Sequence, residues 1–443
     1  MHDRSELETL CEKILGLVSA DDAEVRVADS EDLVLRSATN DVTSNGLLSR
    51  VSVDISVSYG RRSASTSLTQ IDETSLREAV KRVEGMARLA PEDPEHVPPV
   101  EPVDYDEPPT WSDETAALGP VDALERLRPV FERGRSAKID GAGYLERRLR
   151  NSGYANSRGV FVHGRDSTIG FSLTARTATG RGSGWASTQA TELSRIDLDA
   201  VAERAVSKAL ASRNAAHRPA GRTTVVLEAA AVRDLLGLLA WGLGRRSFDE
   251  GRSFLNGLVE DGRDPVGSKL FGEQATLVSD PMDSAAPCSA HASGLPRRRT
   301  VWIDRGVLRA LPTSRFWALK KGIKAVPSPG NLLMPGQGKS IDELVASVED
   351  GVLVTRFWYL RLVEPQSLLY TGLTRDGTFA IRDGAVVGPV KNFRFNESPA
   401  RVLGKILASG AVERVLGSES GMPALVPPLV VRDFNLSSVS DAS

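Results

Sequence analysis

Residues 47–60 read LLSRVSVDISVSYG, and their alternation decides the kind of fold. Val51, Val53, Ile55 and Val57 fall on one side of an extended chain, and Ser52, Asp54, Ser56 and Ser58 on the other. Successive side chains of a strand point to opposite faces, so the pattern predicts an antiparallel strand with one face buried and one wet. Gly60-Arg61-Arg62 then turns the chain into a second strand, RSASTSLT.

The same logic extends in both directions. AEVRVA at 23–28 and DLVLRSAT at 32–39 read as two further strands. Residues 5–19 set Leu7, Leu10, Ile14 and Leu17 on one helical face, with Cys11 beside them. A helix over 75–89 opens with a capping box from Ser75 to Glu78. Residues 91–110 hold seven prolines and seven carboxylates and no Lys or Arg, which predicts an extended, solvated connector. Helices at 121–134 and 198–212 then flank meandering strands over 142–179, and RNAAHRPAGR at 213–222 marks a boundary. Beyond it, TVWIDRGVLRAL (300–311) and TFAIRDGAVVGPV (378–390) are hairpins, the second turning on Asp383-Gly384. Helices are expected at 229–244, 314–321 and 398–409. The fold is therefore read as α+β. An N-terminal domain (1–215) combines helices with antiparallel sheets, and a C-terminal domain (216–443) is mostly antiparallel β.

At 443 residues the chain exceeds one ordinary core, and a formal net charge of −3 provides no global attraction to nucleic acid or anionic membrane. Leu235–Leu243, LLGLLAWGL, lacks any ionisable side chain but is less than half the length, roughly twenty residues, that a membrane span requires. The polar start MHDRSELETL has no signal-peptide pattern, and the two cysteines, Cys11 and Cys288, suit a reducing compartment, so a cytoplasmic location is expected.

Five histidines are available for chemistry: His2, His96, His163, His217 and His291. None pairs with another at helical metal-ligand spacing. Cys288 and His291 stand three residues apart, which permits either a partial metal site or a nucleophile–base dyad; the plain reading is a loop that happens to hold both. GRGSG at 180–184 reads as a turn or bulge, GRSFL at 251–255 lacks the nucleophile-elbow pattern, and Arg297-Arg298-Arg299 reads as a solvated strand edge. In KNFRFNES, Asn392, Arg394 and Asn396 share a strand face opposite Phe393 and Phe395. With Arg375, which sits at the turn before a strand, they are candidates to grip a peptide backbone or a carboxylate. The alternative is that they satisfy neighbouring loops.

The ordered blocks VVLEAAAVRDLLGLLAWGLG, GRSFLNGLVEDGRDPVGSKLFGEQATLVSDP, RRRTVWIDRGVLRALPTSRFWALKKGI and TGLTRDGTFAIRDGAVVGPVKNFRFNES resemble the TldD/PmbA family, over residues 20 to 435 or so. The resemblance implies a heterodimeric metallopeptidase in which two related subunits, TldD and TldE (PmbA), enclose a chamber for unfolded peptide. The TldD type carries zinc on an HExxxH helix, completed by a cysteine near the C-terminus. At the corresponding positions this chain has Gly237 and Gly242 for the histidines and Leu238 for the glutamate, and its tract 418–434 holds no cysteine. The resemblance thus implies a TldE/PmbA-like subunit that shapes the chamber and lacks metal ligands of its own, with zinc in a TldD-like partner. An independent hydrolase built on Cys288 and His291, or a homodimeric peptide-binding protein, are the alternatives.

Overall fold

A computed structural model describes residues 1–260, 262–417 and 421–440. Its N-terminal half is one antiparallel sheet of six strands: β1 (Asp22–Ala38), β2 (Asp41–Tyr59), β3 (Arg62–Leu68), β4 (Ile139–Asn156), β5 (Phe161–Thr177) and β6 (Ser183–Ala190), in the spatial order β3-β2-β1-β4-β5-β6. The strand read from 47–60 is β2, which begins earlier than its alternation suggests. The two strands expected at 23–28 and 32–39 are a single one. Asp29-Ser30-Glu31, which resemble a break in sequence, stay extended because their polar groups find partners: Asp29 takes the backbone N–H of His2 at 2.6 Å, and Glu31 takes Arg147 Nη2 at 2.5 Å.

Parity along these strands sorts the sheet into two faces. Odd-numbered residues of β1, β2 and β4 (Val25, Val27, Leu33, Leu35, Val53, Ile55, Leu145) are buried under helices. Helices α1 (Arg4–Leu17) and α2 (Glu73–Leu89) cover one half of that face; α3 (Pro120–Ala137) and α4 (Leu198–Ala211) cover the other. The capping box expected at Ser75 is displaced by one turn. Asp72 is the N-cap of α2 and accepts from the Ser75 N–H at 3.0 Å. Glycines 182 and 184 of GRGSG bring β6 against α4, where a Cβ on Gly184 would lie 2.1 Å from the Ala205 carbonyl oxygen. Even-numbered residues of β4 face away from all four helices.

The C-terminal half is built around β7 (Gly221–Leu227), β8 (Asp350–Glu364), β9 (Leu369–Arg382), β10 (Ala385–Pro389), β11 (Phe393–Glu397) and β12 (Leu429–Val439). Pairings β8–β7, β7–β12, β12–β11, β11–β9 and β9–β8 close a five-stranded ring, with β10 alongside β9. All are antiparallel except β7–β8. Phe357, Phe395 and Phe434 fill the core here, with ring centroids 4.4 to 5.9 Å apart. The hairpin turn at Asp383-Gly384 forms as read, both residues having positive φ (49° and 75°), which matches the twist of the flanking strands. The helix expected over 398–409 stops at Leu403; Ile406–Ser409 instead pairs with β12. Helix α5 (Ala229–Gly242) follows β7. It is buried from Ala229 to Ala240, which explains its lack of charge after Asp234. No described helix is long and apolar enough to cross a membrane.

The two halves are joined by buried polar contacts. Lys208 of α4 reaches Glu228, the N-cap of α5, at 2.5 Å. Asp376 of β9 accepts from Ser183 Oγ of β6 at 2.5 Å and from Arg356 Nε of β8 at 2.8 Å. Arg356 lies between the rings of Trp185 and Trp358, 4.6 and 5.2 Å from their centroids. The 91–110 segment has no regular structure, as expected, but it is not free in solvent. Val100 is buried, Tyr105 donates to the Gly294 carbonyl at 2.6 Å, and Glu95 pairs with Arg246 at 2.6 Å. The connector is strapped across both halves.

Candidate functional site

The even face of the first sheet is the floor of a cleft of about 1150 Å3. Glu146, Arg148, Arg150 and Ser152 of β4 and Asp166 and Thr168 of β5 point into it. Its walls are the connector around 103–111, the loop 285–291 with Arg297, and the residues Arg414, Leu416, Met422 and Pro423. Gly164 and Gly170 also lie on this face of β5, where a Cβ would press on Ser152 Oγ (3.4 Å) and on Leu416 Cδ1 (3.3 Å). The local signal was present in sequence as YLERRLRNS: Tyr144, Glu146, Arg148 and Arg150 alternate with Leu145, Arg147 and Leu149. Reading that stretch as strand without asking what its polar face meets misses the cleft.

Cys288 and His291 both line the cleft, yet they do not form a dyad: no hydrogen bond joins them among the described residues. Burial pushes the Cys288 thiol up to about 11, and Arg297 beside it offsets this only in part. Burial, with Arg297 and Arg26 nearby, holds His291 down at about 4. Its Nδ1 already accepts the Gly294 N–H at 3.2 Å, and its ring packs on Tyr105 and Tyr154. A protonated thiol beside a committed imidazole is a poor nucleophile pair. Two results are expected. Cys288 should resist alkylation at neutral pH in the native protein. Below about pH 6.5 the unfolded chain takes up a proton that folded His291 refuses. This contribution to stability is complete above that pH and is lost as pH falls toward about 4. His291→Gln should therefore flatten the acid side of the stability profile, read from urea midpoints between neutral and mildly acid pH.

The four residues expected to contact peptide lie elsewhere, on β9 and at β11, and none lines the cleft. Asn392 Oδ1 accepts from Thr378 Oγ1 at 2.9 Å, Arg394 is exposed, Asn396 pairs with Thr371 across the ladder, and Arg375 lies over Trp358 at 5.4 Å. The arginine run is also unlike a solvated edge. Arg298 pairs with Asp106 at 2.7 Å, and Arg297 turns inward to donate to the carbonyls of Ser289, His291 and Ser328.

Helix α5 supplies the positions that the family resemblance assigns to zinc. A Cβ on Gly237 would meet nothing within 4 Å, whereas one on Gly242 would lie 2.7 Å from Leu368 Cδ1; Leu238 is buried in the core. None of these side chains can donate to a metal, so the residues present do not fit the ion. Among the described residues no group of three or more His, Cys, Asp or Glu is arranged to hold one. Residues 418–420 of the tract where a cysteine ligand would be sought lie outside the described residues. At the start of α5, Arg233 and Asp234 are buried, 3.9 Å apart, and Arg233 Nη2 donates to the Met422 carbonyl at 2.5 Å. Gly237→Ala is expected to stabilise the protein by about 0.5–1 kcal/mol, since it removes a helix-interior glycine into open space. Gly242→Ala should bring no gain, because Leu368 must move; thermal midpoints of the two variants check the contrast.

Comparison with known proteins places these features in context. Residues 220–438 match the PmbA/TldA metallopeptidase C-terminal domain and residues 98–213 the PmbA/TldA metallopeptidase central domain. A metalloprotease from Methanothermobacter thermautotrophicus is 26% identical over 307 residues, 61% of this chain and 63% of that relative, so the chain spans under two thirds of its length. Among solved structures, a candidate modulator of DNA gyrase from Bacteroides thetaiotaomicron has a TM-score of 0.85 at 19% identity, covering 99% of this chain and 100% of its own. TldE from Thermococcus kodakarensis has a TM-score of 0.83 at 18% identity, covering 97% and 99%. At such identities these two structures speak for the fold.

Proposed function

We propose that the chain, which belongs to the PmbA/TldD metallopeptidase family, serves as the non-catalytic, TldE-like subunit of a two-component zinc peptidase. The observation that carries this reading is helix α5. It is buried from Ala229 to Ala240, and at the positions that the resemblance assigns to the metal site Gly237, Leu238 and Gly242 offer no ligand and no proton carrier. A zinc peptidase needs three or four donors and a group to activate the metal-bound water. Both belong to a TldD-like partner. This chain contributes a wall of the peptide chamber, and the polar cleft on its first sheet is the part of that wall best suited to hold substrate.

The geometry of Cys288 and His291 weighs against an independent hydrolase, for the protonation reasons given above. The deciding experiment mixes the purified chain with a TldD-type zinc protein and follows mass in solution together with cleavage of an unfolded peptide. The expected result is a mixed complex that cleaves, with no cleavage by this chain alone. Stoichiometric zinc or peptidase activity in the isolated chain would refute the reading.

A further inference from the structure

The cleft carries a charge imbalance that its own residues do not resolve. Of the arginines lining it, Arg4 pairs with Glu107 at 3.8 Å and Arg148 with Glu146 at 2.7 Å. Asp106, on the acid side, is taken by Arg298 from outside the cleft. Among the described residues, Arg150, Arg165, Arg297 and Arg414 remain, against Asp104 and Asp166.

Arg297 and Arg414 flank the same loop, 285–291, and neither has a carboxylate within 4 Å among the described residues. Arg297 spends Nε and Nη1 on carbonyl oxygens and leaves Nη2 without a partner. Arg414 spends only Nε, on the Ala285 carbonyl at 3.1 Å, and leaves both η nitrogens. Among the described residues, the two carboxylates whose charge acts on Arg414 are committed elsewhere. Asp283 accepts the N–H groups of Ala285 and Ala286 at 2.9 and 2.8 Å, and Glu192 pairs with Arg195 at 2.8 Å. Burial works against the charge of both guanidiniums, and Arg195 adds to this at Arg414. Partly buried cations whose counter-ions are absent are costly to keep, and they are complementary to an anion that arrives with the ligand.

We propose that the cleft selects polypeptide segments bearing carboxylates, which Arg297 and Arg414 receive on either side of the 285–291 loop. The inference rests on the reading of this chain as a chamber wall and names the class of segment the wall prefers. A guanidinium fork matches a carboxylate in a bidentate manner, and the loop carbonyls that hold Arg297 fix its plane before the ligand arrives. Asp166 and Glu146 on the floor would repel an acidic segment laid flat, so its carboxylates point to the loop and its backbone crosses the hydroxyls of Ser152 and Thr168.

The test is fluorescence anisotropy of the full chain with a short labelled Glu/Ser peptide, a Lys/Ser peptide of equal length, and a single-stranded oligonucleotide. The Glu/Ser peptide should bind at least about tenfold more tightly than the Lys/Ser peptide, and its affinity should fall with added salt. Arg414→Gln, which removes η nitrogens that bond no described residue, should weaken that binding by about tenfold and leave the Lys/Ser peptide unaffected. Arg299→Gln, outside the cleft, is the control. Equal binding of both peptides, no binding of either, an unchanged affinity in Arg414→Gln, or tighter binding of the oligonucleotide would each overturn the proposal. The two readings fail separately. A chain that joins its zinc partner and supports cleavage but ignores peptide charge loses only the site, and a chain that binds acidic peptide but never joins the partner loses only the subunit role.

Discussion

Replacing Asp376 with alanine should cost about 3–5 kcal/mol of stability, the largest loss expected from one substitution in this protein. The carboxylate is fully buried, and Arg356, its partner, is held between two tryptophans with 11% of its side chain exposed. Removing Asp376 strips that guanidinium of its hydrogen-bonded counter-charge and also takes away the acceptor of Ser183 Oγ, so a link between the two halves is lost with the ion pair. Asp376 has φ of 55°, which alanine tolerates poorly. Asp376→Asn keeps the shape and the left-handed tolerance, and it should fall between wild type and alanine. Arg356→Met combined with Asp376→Asn should recover part of the loss, because the uncompensated charge is then gone. Urea denaturation of the four proteins reads this directly. A loss under 1 kcal/mol for the alanine variant would show that water reaches Arg356 and that the pair is not a structural link.

The second large effect concerns metal. If the catalytic zinc belongs to the partner, a strong chelator should abolish cleavage by the reconstituted pair. It should also leave the thermal midpoint of this chain alone where it was. Binding to a folded state stabilises it in proportion to how far ligand exceeds its dissociation constant, so a chain with a real site shifts by several degrees when stripped. Substituting Gly237→His and Leu238→Glu here should not restore activity in the absence of the partner. Two groups on one helix cannot assemble a tetrahedral site, and the third position, Gly242, is blocked by Leu368. A chelator-dependent fall in the midpoint of the isolated chain would sink the account.

Much of the fold could be read from periodicity because its strands bury one face only. The alternation of 47–60 places β2 and predicts the antiparallel sheet, and Asp383-Gly384 fixes its hairpin by demanding two positive φ angles. Two of the three errors share a cause. Asp29-Ser30-Glu31 look like a break and Lys405 onward looks like helix, but long-range partners decide both cases, His2 and Arg147 in the first and β12 in the second. At Ser75 a local competitor wins, Asp72 three residues earlier taking the cap. The cleft was less legible still. Arg297 and Arg414 lie more than a hundred residues apart, and neither stands in a motif. Only the packing of the C-terminal half on the even face of β4 brings them to one loop. That Gly237, Leu238 and Gly242 stand where the family resemblance places zinc ligands and a glutamate is legible only beside a family pattern, since alone they read as ordinary core.

The closed ring of the C-terminal half has a consequence for how the protein is made. β7 hydrogen-bonds to β12, whose first residue, Leu429, comes about two hundred residues after Leu227. Until β12 has been synthesised, β7 and β11 each present an unpaired edge. The six-stranded sheet needs nothing beyond Ala190 to complete its ladder, so it can fold on the ribosome while the rest of the chain is still emerging. Loop closure over such a span is slow and leaves hydrophobic strands waiting. The half that forms first thus offers its even face as a surface on which the later half can dock, and the order of synthesis becomes the order of assembly.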